Sequence, residues 1–296
     1  MRVGGEIDLV GAIVQTMRPR QWTKNLIVFA PLIFSGHIQD VGAILASVVA
    51  FGVFCLASGA AYLLNDVRDA HADSLHDVKR TRPVASGELP ATVAVASAIV
   101  IAVLAVAVAF ALARPVGVMT LGYLALQNAY TFGLKHQVIL DVMSISAGFI
   151  IRAAAGAAAV SVAASPWLYM CAALLALFLG FGKRRHELLM AEDTVGSHRA
   201  VLDDYSPHLL DVLVATATSA TIIAYSLYTF FSPTAAEHDY LMLTIPFVVY
   251  GVLRYVFLMY KHNLGGSPEE ILLTDVPLII TILAWLATAS VVIYLT

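Results

Sequence analysis

A row of acidic residues follows a long apolar stretch near position 65. On a helix, the spacing of Asp66, Asp69 and Asp73 places their side chains within about 60° of one another, with Asn65 beside them. Carboxylates this close repel one another unless a cation neutralises them. Because all the donors are oxygen atoms, the pattern favours a hard divalent cation such as Mg²⁺. In an alternative that stays open, these acids form ion pairs at a solvated helix end with three nearby basic residues, Arg68, Lys79 and Arg80.

The composition indicates a membrane protein. Hydrophobic residues make up 60% of the 296 residues, charged residues make up only 12%, and the mean hydropathy is +0.84. That is more apolar surface than a soluble core of this size needs. The net charge of -3 gives no indication of a nucleic-acid partner, since the placement of charges matters more than their sum in such a chain. Cys55 and Cys171 lie inside apolar stretches, which predicts small core hydrophobes rather than a disulfide or a metal pair.

Nine apolar segments are each close to the length that crosses a bilayer. They predict an all-α polytopic membrane fold, a nine-helix bundle in a single domain, 1–296. The segments are 26–36, 41–64, 91–113, 116–132, 138–163, 166–182, 209–231, 241–260 and 276–294. The first is long enough only if 21–25 lead into it as part of the same helix.

Basic residues alternate between the loops that join these segments. Lys and Arg concentrate near the N-terminus and in the loops after the second, fourth, sixth and eighth segments, whereas the opposite loops contain only Arg114. By the positive-inside rule, the N-terminus lies in the cytoplasm and the C-terminus outside. We therefore expect a multi-pass protein of the cell membrane, with cytoplasmic parts at 1–25, 65–90 and 183–208.

The residues that could bind a phosphate gather on that cytoplasmic face. Besides the acidic row, the predicted substrate-binding residues there are Lys24, Asn65, Lys79, Arg80, Arg82, Tyr130, Lys135, Lys183, Arg184, Arg185 and Glu187. Carboxylates hold a metal, and a metal together with arginines binds phosphate oxygens. This polar mouth of the bundle thus predicts pyrophosphate binding. For the basic clusters, and above all for Arg18, Arg20 and Arg199, a role in topology or in contact with anionic lipid headgroups stays open.

Two charged residues fall inside predicted spans. Arg152 lies in the fifth segment, and Arg254 lies about two turns inside the eighth. A charge at such a depth is costly, so each should face a polar cavity or a partner. Arg254 can snorkel to the surface. Arg152 is predicted to line a substrate pocket, where it either binds a lipid phosphate or pairs with Asp141 through an intervening group. Tyr205 either reaches the mouth or belongs to an interfacial aromatic belt.

Together these motifs resemble those of the UbiA superfamily of intramembrane prenyltransferases. The similar elements are N-D-x-x-D-x-x-x-D at 65–73, R-P-x-x-S-G at 82–87, and nine spans. Within the superfamily, R-P-R-Q-W-T-K-N at 18–25 and K-R-R-H-E-L at 183–188 resemble the decaprenyl-phosphate phosphoribosyltransferase branch. The resemblance covers nearly the whole chain. It implies Mg²⁺ as the cofactor and the acidic row as its ligands and as the catalytic residues.

One departure from the superfamily pattern bears on the substrate. Typical members resemble one another in a second Asp-rich element after the sixth helix, whereas this chain has Lys183, Arg184 and Arg185 there. Three cations suit a reactant that brings an extra phosphate. The resemblance thus implies transfer of the 5-phosphoribosyl group of phosphoribosyl pyrophosphate to a polyprenyl phosphate, with release of pyrophosphate, for a precursor of cell-wall arabinan.

Three alternatives stay open. The first is a prenyltransferase of the same fold that acts on an aromatic or quinone precursor; the missing second acidic element argues against it. The second is a transporter, with Arg152 and Arg254 on a substrate path, but the charges gather at one face rather than at the midplane. The third is a noncatalytic membrane scaffold. The oligomeric state also stays open, although small residues at 148–156 are compatible with close packing against a second copy.

Overall fold

The computed structural model describes residues 8–76, 78–163, 165–192 and 200–295. Every regular element in these ranges is helical. Arg199 and residues 1–7 of the predicted cytoplasmic N-terminal part lie outside the described residues.

Twelve α-helices make up most of the described chain. In chain order they are α1 Leu9–Thr16, α2 Ala30–Phe34, α3 Val41–Ser74, α4 Ala91–Leu112, α5 Arg114–Phe132, α6 Leu140–Ala159, α7 Pro166–Glu192, α8 Pro207–Phe231, α9 Pro233–Glu237, α10 Ile245–Lys261, α11 Pro268–Thr274 and α12 Val276–Leu295. A long 3-10 helix, Pro19–Phe29, lies between α1 and α2. Shorter 3-10 helices are Lys79–Thr81, Leu134–His136, Ala200–Asp204 and Leu241–Thr244.

Seven helical stretches of the described chain are long and apolar enough to cross a membrane. They are Val41–Ser74, Ala91–Leu112, Leu140–Ala159, Pro166–Met190, Pro207–Phe231, Leu241–Lys261 and Val276–Leu295. They coincide with seven of the nine predicted segments, and they confirm an all-α multi-pass membrane protein. The predicted segment 116–132 forms α5, which Gln127 and Asn128 make less apolar. The first predicted segment is not one α-helix, because the 3-10 helix Pro19–Phe29 continues directly into α2.

Helices that follow one another in sequence pack side by side, and α4 shows how the sequence permits this. Its buried residues are all alanines on one stripe, namely Ala94, Ala98, Ala105 and Ala109. Small side chains let helix backbones approach closely within a membrane. Larger side chains of the same helix, such as Val103 and Leu104, are exposed on its other face. Cys55 and Cys171 are free thiols inside helices; Cys55 is buried in the core, as predicted, whereas Cys171 is half-buried.

The 3-10 helix Pro19–Phe29 packs between α3 and α6. Gly156 of α6 permits this, because a Cβ at that position would collide with the carbonyl oxygen of Val28. Val28 and Asn25 are completely buried. A 3-10 run of this length is uncommon in proteins, so packing rather than local propensity holds the segment in place.

Candidate active site

The acidic row lies on the last turns of α3. Asp66 and Asp73 are buried, whereas the Asp69 side chain is 31% exposed. Each of the three carboxylates contacts a cation from another part of the chain. The predicted one-sided arrangement of acids is therefore present, and cations face it.

Two arginines bind the buried acids. Arg82 Nη1 lies 2.6 Å from Asp73 Oδ2 and 3.4 Å from Asp66 Oδ1, so one guanidinium bridges both carboxylates. Arg18 Nη2 lies 2.5 Å from Asp66 Oδ1. The guanidinium of Arg18 also lies over the Tyr62 ring, 4.8 Å from its centroid. Arg18 thus contacts the acidic row, a position that the sequence left open between topology and lipid contact.

The R-P-x-x-S-G motif is a compact turn that returns Arg82 to α3. The Ser86 amide donates to the Arg82 carbonyl, and the Leu89 amide donates to the Pro83 carbonyl, each at 2.8 Å. Gly87 has a φ of 81°, a left-handed conformation that glycine adopts without strain. Leu89 is completely buried. The motif therefore fixes the direction from which Arg82 approaches the acids.

Lys135 neutralises the remaining acid of the row. Its Nζ lies 2.6 Å and 2.9 Å from the two Asp69 oxygens and 3.4 Å from Asn65 Oδ1. This lysine is buried and belongs to the 3-10 helix Leu134–His136, between α5 and α6. The structure therefore brings together Asn65, Asp69 and Lys135, all of which the sequence predicted.

The basic triplet in the last third of α7 contains a deeply buried arginine. Arg184 is only 2% exposed. Its Nε lies 2.5 Å from Asp141 Oδ2, its Nη1 lies 2.5 Å from Glu187 Oε2, and its Nη2 lies 3.4 Å from the Tyr130 hydroxyl. The three nitrogens of this guanidinium all face protein atoms.

The other arginine of the triplet joins three helices. Arg185 Nε lies 2.6 Å from Asp211 Oδ1 on α8. Its guanidinium stacks over the Tyr260 ring of α10 at 4.1 Å, and the Tyr260 hydroxyl donates to Asp211 at 2.8 Å. Lys183 is half-buried. Arg184 and Arg185, both predicted to bind a substrate phosphate, thus have carboxylate partners within the protein.

Arg152 lies in a polar cluster inside the bundle. Its Nε donates to Asn25 Oδ1 and its Nη2 donates to the Tyr123 hydroxyl, both at 2.7 Å. The guanidinium also lies 4.6 Å from the Tyr123 ring centroid and 5.3 Å from that of Phe149. Of the two roles expected for Arg152, pairing with Asp141 through an intervening group is wrong, because Asp141 accepts hydrogen bonds from Arg184 and Tyr205 instead. Arg152 instead anchors the 3-10 helix through Asn25.

Arg254 forms an ion pair with an acid at the start of α12. Its Nη2 lies 2.8 Å from Asp275 Oδ2, and Asp275 also accepts the Leu278 amide at 2.9 Å, at the start of α12. The hydrogen bond from Arg254 holds the pKa of Asp275 below its usual range. Asp275 is thus ionised at neutral pH and caps the helix.

Three predicted residues lie at the border of the site. Lys24 Nζ donates to Gln21 Oε1 on the 3-10 helix Pro19–Phe29. Lys79 is half-buried and Arg80 is exposed, in the short helix just before Arg82. These three cations belong to the 3-10 helices that adjoin Arg18 and Arg82, the two arginines that contact the acidic row.

Three residues that complete the site were not among the predicted site residues. They are Arg18, Asp141 and Tyr205. A signal existed for Asp141, because a carboxylate at the start of an apolar span is costly unless it is paired. For Tyr205, nothing in the local pattern separates a buried tyrosine from one at the membrane interface.

The acidic row supplies ligands of the type that hard divalent ions prefer. Asn65, Asp66, Asp69 and Asp73 offer only oxygen donors, and Asp66 and Asp73 both reach the same guanidinium. As the side chains stand, no three His, Cys, Asp or Glu residues of the described chain form a group that could hold a metal. The row thus fits a divalent ion in its chemistry, and the cations that face it compete with that ion.

An apolar cavity of about 740 Å³ lies between the 3-10 helix Pro19–Phe29 and helices of the C-terminal half. Its lining includes Ile27, Phe34, Leu175, Phe178, Tyr225 and Trp285. Gly36, Pro166 and Pro233 also line it, so it extends to the end of the bundle opposite the acidic row. Its size and lining suit an apolar ligand.

Comparisons with known proteins agree on one family. The model of the UbiA prenyltransferase family matches residues 26–270. A decaprenyl-phosphate phosphoribosyltransferase of Mycolicibacterium smegmatis is 38% identical over 300 residues, which cover 97% of this chain and 94% of the relative. A protein of the same name from Mycobacterium tuberculosis is 37% identical over 287 residues, which cover 96% and 94%.

A solved structure has a similar fold. The UbiA homolog from Archaeoglobus fulgidus bound to DMAPP and Mg²⁺ gives a TM-score of 0.73 and covers 96% of this chain and 99% of that one. The sequence identity is 17%, so this similarity concerns the fold alone.

Proposed function

This chain belongs to the UbiA prenyltransferase family, and from that premise we propose that it transfers the 5-phosphoribosyl group of phosphoribosyl pyrophosphate to a polyprenyl phosphate. Pyrophosphate leaves, and the product is a lipid-linked ribose phosphate suited to cell-wall arabinan synthesis. The relatives named decaprenyl-phosphate phosphoribosyltransferase, matched over nearly their whole length, support this choice. We further propose that the chain is a single domain.

One observation carries the proposal: three cations converge on the acidic row. Arg18, Arg82 and Lys135 each lie within 2.6 Å of one of its carboxylates. Oxygen ligands and cations in one place suit a highly charged diphosphate that binds together with a metal.

The acidic row and its cations bind the donor. A divalent ion held by Asp66, Asp69 and Asp73, with Mg²⁺ as our proposal, would supply positive charge to the pyrophosphate group. Arg82 and Lys135 neutralise the negative charge that grows on the pyrophosphate as the bond to C1 of the ribose breaks. The bordering cations contribute further positive potential; they are Lys24, Lys79 and Arg80.

The acceptor needs little activation. A lipid phosphate is already anionic near neutral pH, so no general base is required. Lys183, at the start of the last third of α7, holds its headgroup, and the apolar cavity holds part of its prenyl chain. Positioning and charge stabilisation then account for most of the rate, as in phosphoryl transfer.

We propose nine membrane crossings, with the N-terminus and the acidic row in the cytoplasm. The 3-10 helix Pro19–Phe29 and α2 together extend roughly 30 Å at about 2.0 and 1.5 Å per residue, enough for one crossing. α5 provides another. Ser86 and Gln39 are exposed on opposite sides in this topology. In whole cells, an impermeant thiol reagent should label Gln39→Cys and not Ser86→Cys; the reverse pattern would overturn the orientation.

A transfer assay tests the function. The purified chain is given labelled phosphoribosyl pyrophosphate and decaprenyl phosphate in magnesium buffer, and the lipid extract is analysed for ribose. We expect labelled lipid and released pyrophosphate, and neither with a chelator present. Equal product in the chelator would refute the metal assignment.

A second arm of the same assay tests the aromatic alternative. An aromatic acid with a prenyl diphosphate should give no prenylated product. Prenylation in this arm without ribosylated lipid in the first would favour an aromatic prenyltransferase, and no release of pyrophosphate in either would favour a transporter or a scaffold.

A further inference from the structure

An unusual turn lies between Lys135 and α6. Ile139 has a φ of 68° and a ψ of -46°, and the Leu140 amide donates to the Val138 carbonyl at 2.8 Å. This is a γ-turn with positive φ at its centre, a rare and strained conformation, here at a β-branched residue. Such a conformation persists only where its surroundings impose it.

The hydroxyl of Tyr205 contacts this turn directly. It accepts a hydrogen bond from the Ile139 amide at 2.7 Å and donates one to Asp141 Oδ1 at 2.8 Å. The other oxygen of Asp141 lies 2.5 Å from Arg184 Nε. We call these three side chains, Tyr205, Asp141 and Arg184, the clasp; none of them is more than 5% exposed.

The chemistry of the clasp is consistent with this geometry. Burial raises the pKa of Tyr205, so its hydroxyl remains protonated at neutral pH and can donate to Asp141 while it accepts from Ile139. The carboxylate is balanced by the guanidinium of Arg184. A buried polar group costs free energy when its partner is removed, so loss of the hydroxyl leaves the Ile139 amide without an acceptor.

The clasp contacts the connection that carries Lys135. Only a few residues separate this lysine from the strained turn, on the link between α5 and α6. Two amides of the link are closed by local bonds, His136 to the Gly133 carbonyl at 3.0 Å and Gln137 to the Leu134 carbonyl at 3.1 Å. The distance from Lys135 to Asp69 therefore depends on where the link is held.

We infer that Tyr205 is a positioning residue, whose hydroxyl holds the turn at Ile139 and thereby fixes Lys135 against Asp69. The kinetic part of this inference rests on the proposed function. The structural part does not, since the position of the link can be measured without turnover.

The substitution Tyr205→Phe removes only the hydroxyl. We expect kcat/KM for the phosphoribosyl donor to fall by about tenfold, a size typical for an unsatisfied buried group. In a Lys135→Met background, Tyr205→Phe should cost less than about twofold more, because both changes act through one amine. If Tyr205→Phe instead acted through a general loss of structure, it would lower kcat/KM by the same factor in the Lys135→Met background as it does alone.

The matched control is Tyr294→Phe. The Tyr294 hydroxyl likewise donates one hydrogen bond and accepts another, here with two backbone partners: it donates to the Ile33 carbonyl at 2.8 Å and accepts from the Ile38 amide at 3.4 Å. It lies on α12, far from the acidic row. This variant should have the turnover of the unsubstituted chain.

Hydrogen–deuterium exchange provides the readout that is independent of turnover. The amides of 133–139 should exchange faster in Tyr205→Phe and not in Tyr294→Phe. Unchanged exchange, or the full additional decrease in the Lys135→Met background, would overturn the inference. Faster exchange in a chain that transfers no ribose would refute the proposed function and leave the positioning role standing. If Tyr205→Phe does not fold, the same exchange is measured with Ile139→Gly added, because glycine adopts positive φ without strain.

Discussion

Each acid of the row on α3 lies closest to a different cation, and the three cations come from separate parts of the chain. The pairs are Asp66 with Arg18, Asp69 with Lys135, and Asp73 with Arg82. Asp69 is the most exposed of the three acids, and its partner is a lysine, a compact charge without the fixed fork of an arginine. Asp69 is therefore the carboxylate best able to exchange its partner when reactants bind.

Replacing Asp69 with Asn should abolish ribosyl transfer while the chain stays folded. We expect a loss of at least about a hundredfold, because the amide cannot supply the charge that a divalent ion requires. Thermal unfolding in detergent should change little, since this side chain is partly exposed. The control is Asp40→Asn at the other end of α3, where Asp40 accepts the Gly42 amide and Asn caps equally well. Normal transfer in Asp69→Asn would contradict the metal assignment.

For single residues, the sequence could predict features formed by residues close together in the chain, but not contacts between distant ones. The acidic row is visible because three residues on one helix face repeat at a local spacing. Tyr205 and Asp141 are 64 positions apart, and their contact exists only once α6, α7 and the segment before α8 pack together. A single sequence contains no local signal for such a contact.

Among the elements, the 3-10 helix Pro19–Phe29 owes most to its neighbours. It carries Lys24, and Arg18 precedes it directly, but its composition is mixed and it packs through a few tight contacts with α3 and α6. Asn25 accepts from Arg152, and Gly156 allows the close approach of Val28. The element that borders the site is thus held by tertiary contacts.

The substitution Gly156→Ala should disturb that element. The new methyl group would meet the Val28 carbonyl, and overpacking of this kind typically costs about 1–3 kcal/mol. We expect a lower thermal midpoint and slower transfer, because Arg18 moves with the 3-10 helix. Gly52→Ala on α3 is the control, since nothing lies within 4 Å of its added Cβ. Equal effects of the two changes would argue against a specific contact at Gly156.

The ion pair of Arg254 and Asp275 makes the stability of the folded chain at the start of α12 depend on pH. A carboxyl whose pKa is lowered in the folded state stabilises it above the unfolded value, about 3.9, and that stability is lost as the pH falls through the folded value. Asp275→Asn keeps a cap for the helix and removes the ion pair. Its thermal midpoint should be lower than that of the unsubstituted chain at pH 7, with the difference shrinking below about pH 4. A difference that does not depend on pH would contradict this account.

The helices differ in what stabilises them, and this difference decides which of them the sequence could predict. Seven spans could be predicted because long apolar runs are stable as helices in lipid whatever their neighbours. The 3-10 helix could not, because its residues are neither apolar throughout nor regular in period. α11, which is seven residues long, could not be predicted for the same reason.

Across the whole molecule, polar and apolar binding features lie at opposite ends. The acidic row and its cations occupy one end of the bundle, and the cavity of about 740 Å³ extends to the other. This arrangement suits a reactant with a charged head and a long apolar tail. It also separates the two kinds of contact, so that they can be altered independently.

Filling the cavity should discriminate between acceptors by tail length. Ala172 lines the cavity and is buried. We expect Ala172→Phe to lower the rate with a decaprenyl phosphate relative to a short prenyl phosphate by about tenfold, equivalent to about 1.4 kcal/mol. The control is Ala125→Phe on α5, at an exposed position. If Ala172→Phe slows both acceptors equally, the tail does not occupy this cavity.

The 34 residues of α3 make a rod roughly 50 Å long, against a hydrocarbon layer of about 30 Å. Its final turns therefore project past the lipid tails to the depth where headgroups meet water. A water-soluble sugar phosphate need not enter the hydrocarbon layer, and a lipid-borne phosphate need not leave its leaflet. Both reactants can meet at the boundary between the two solvents, with neither crossing it.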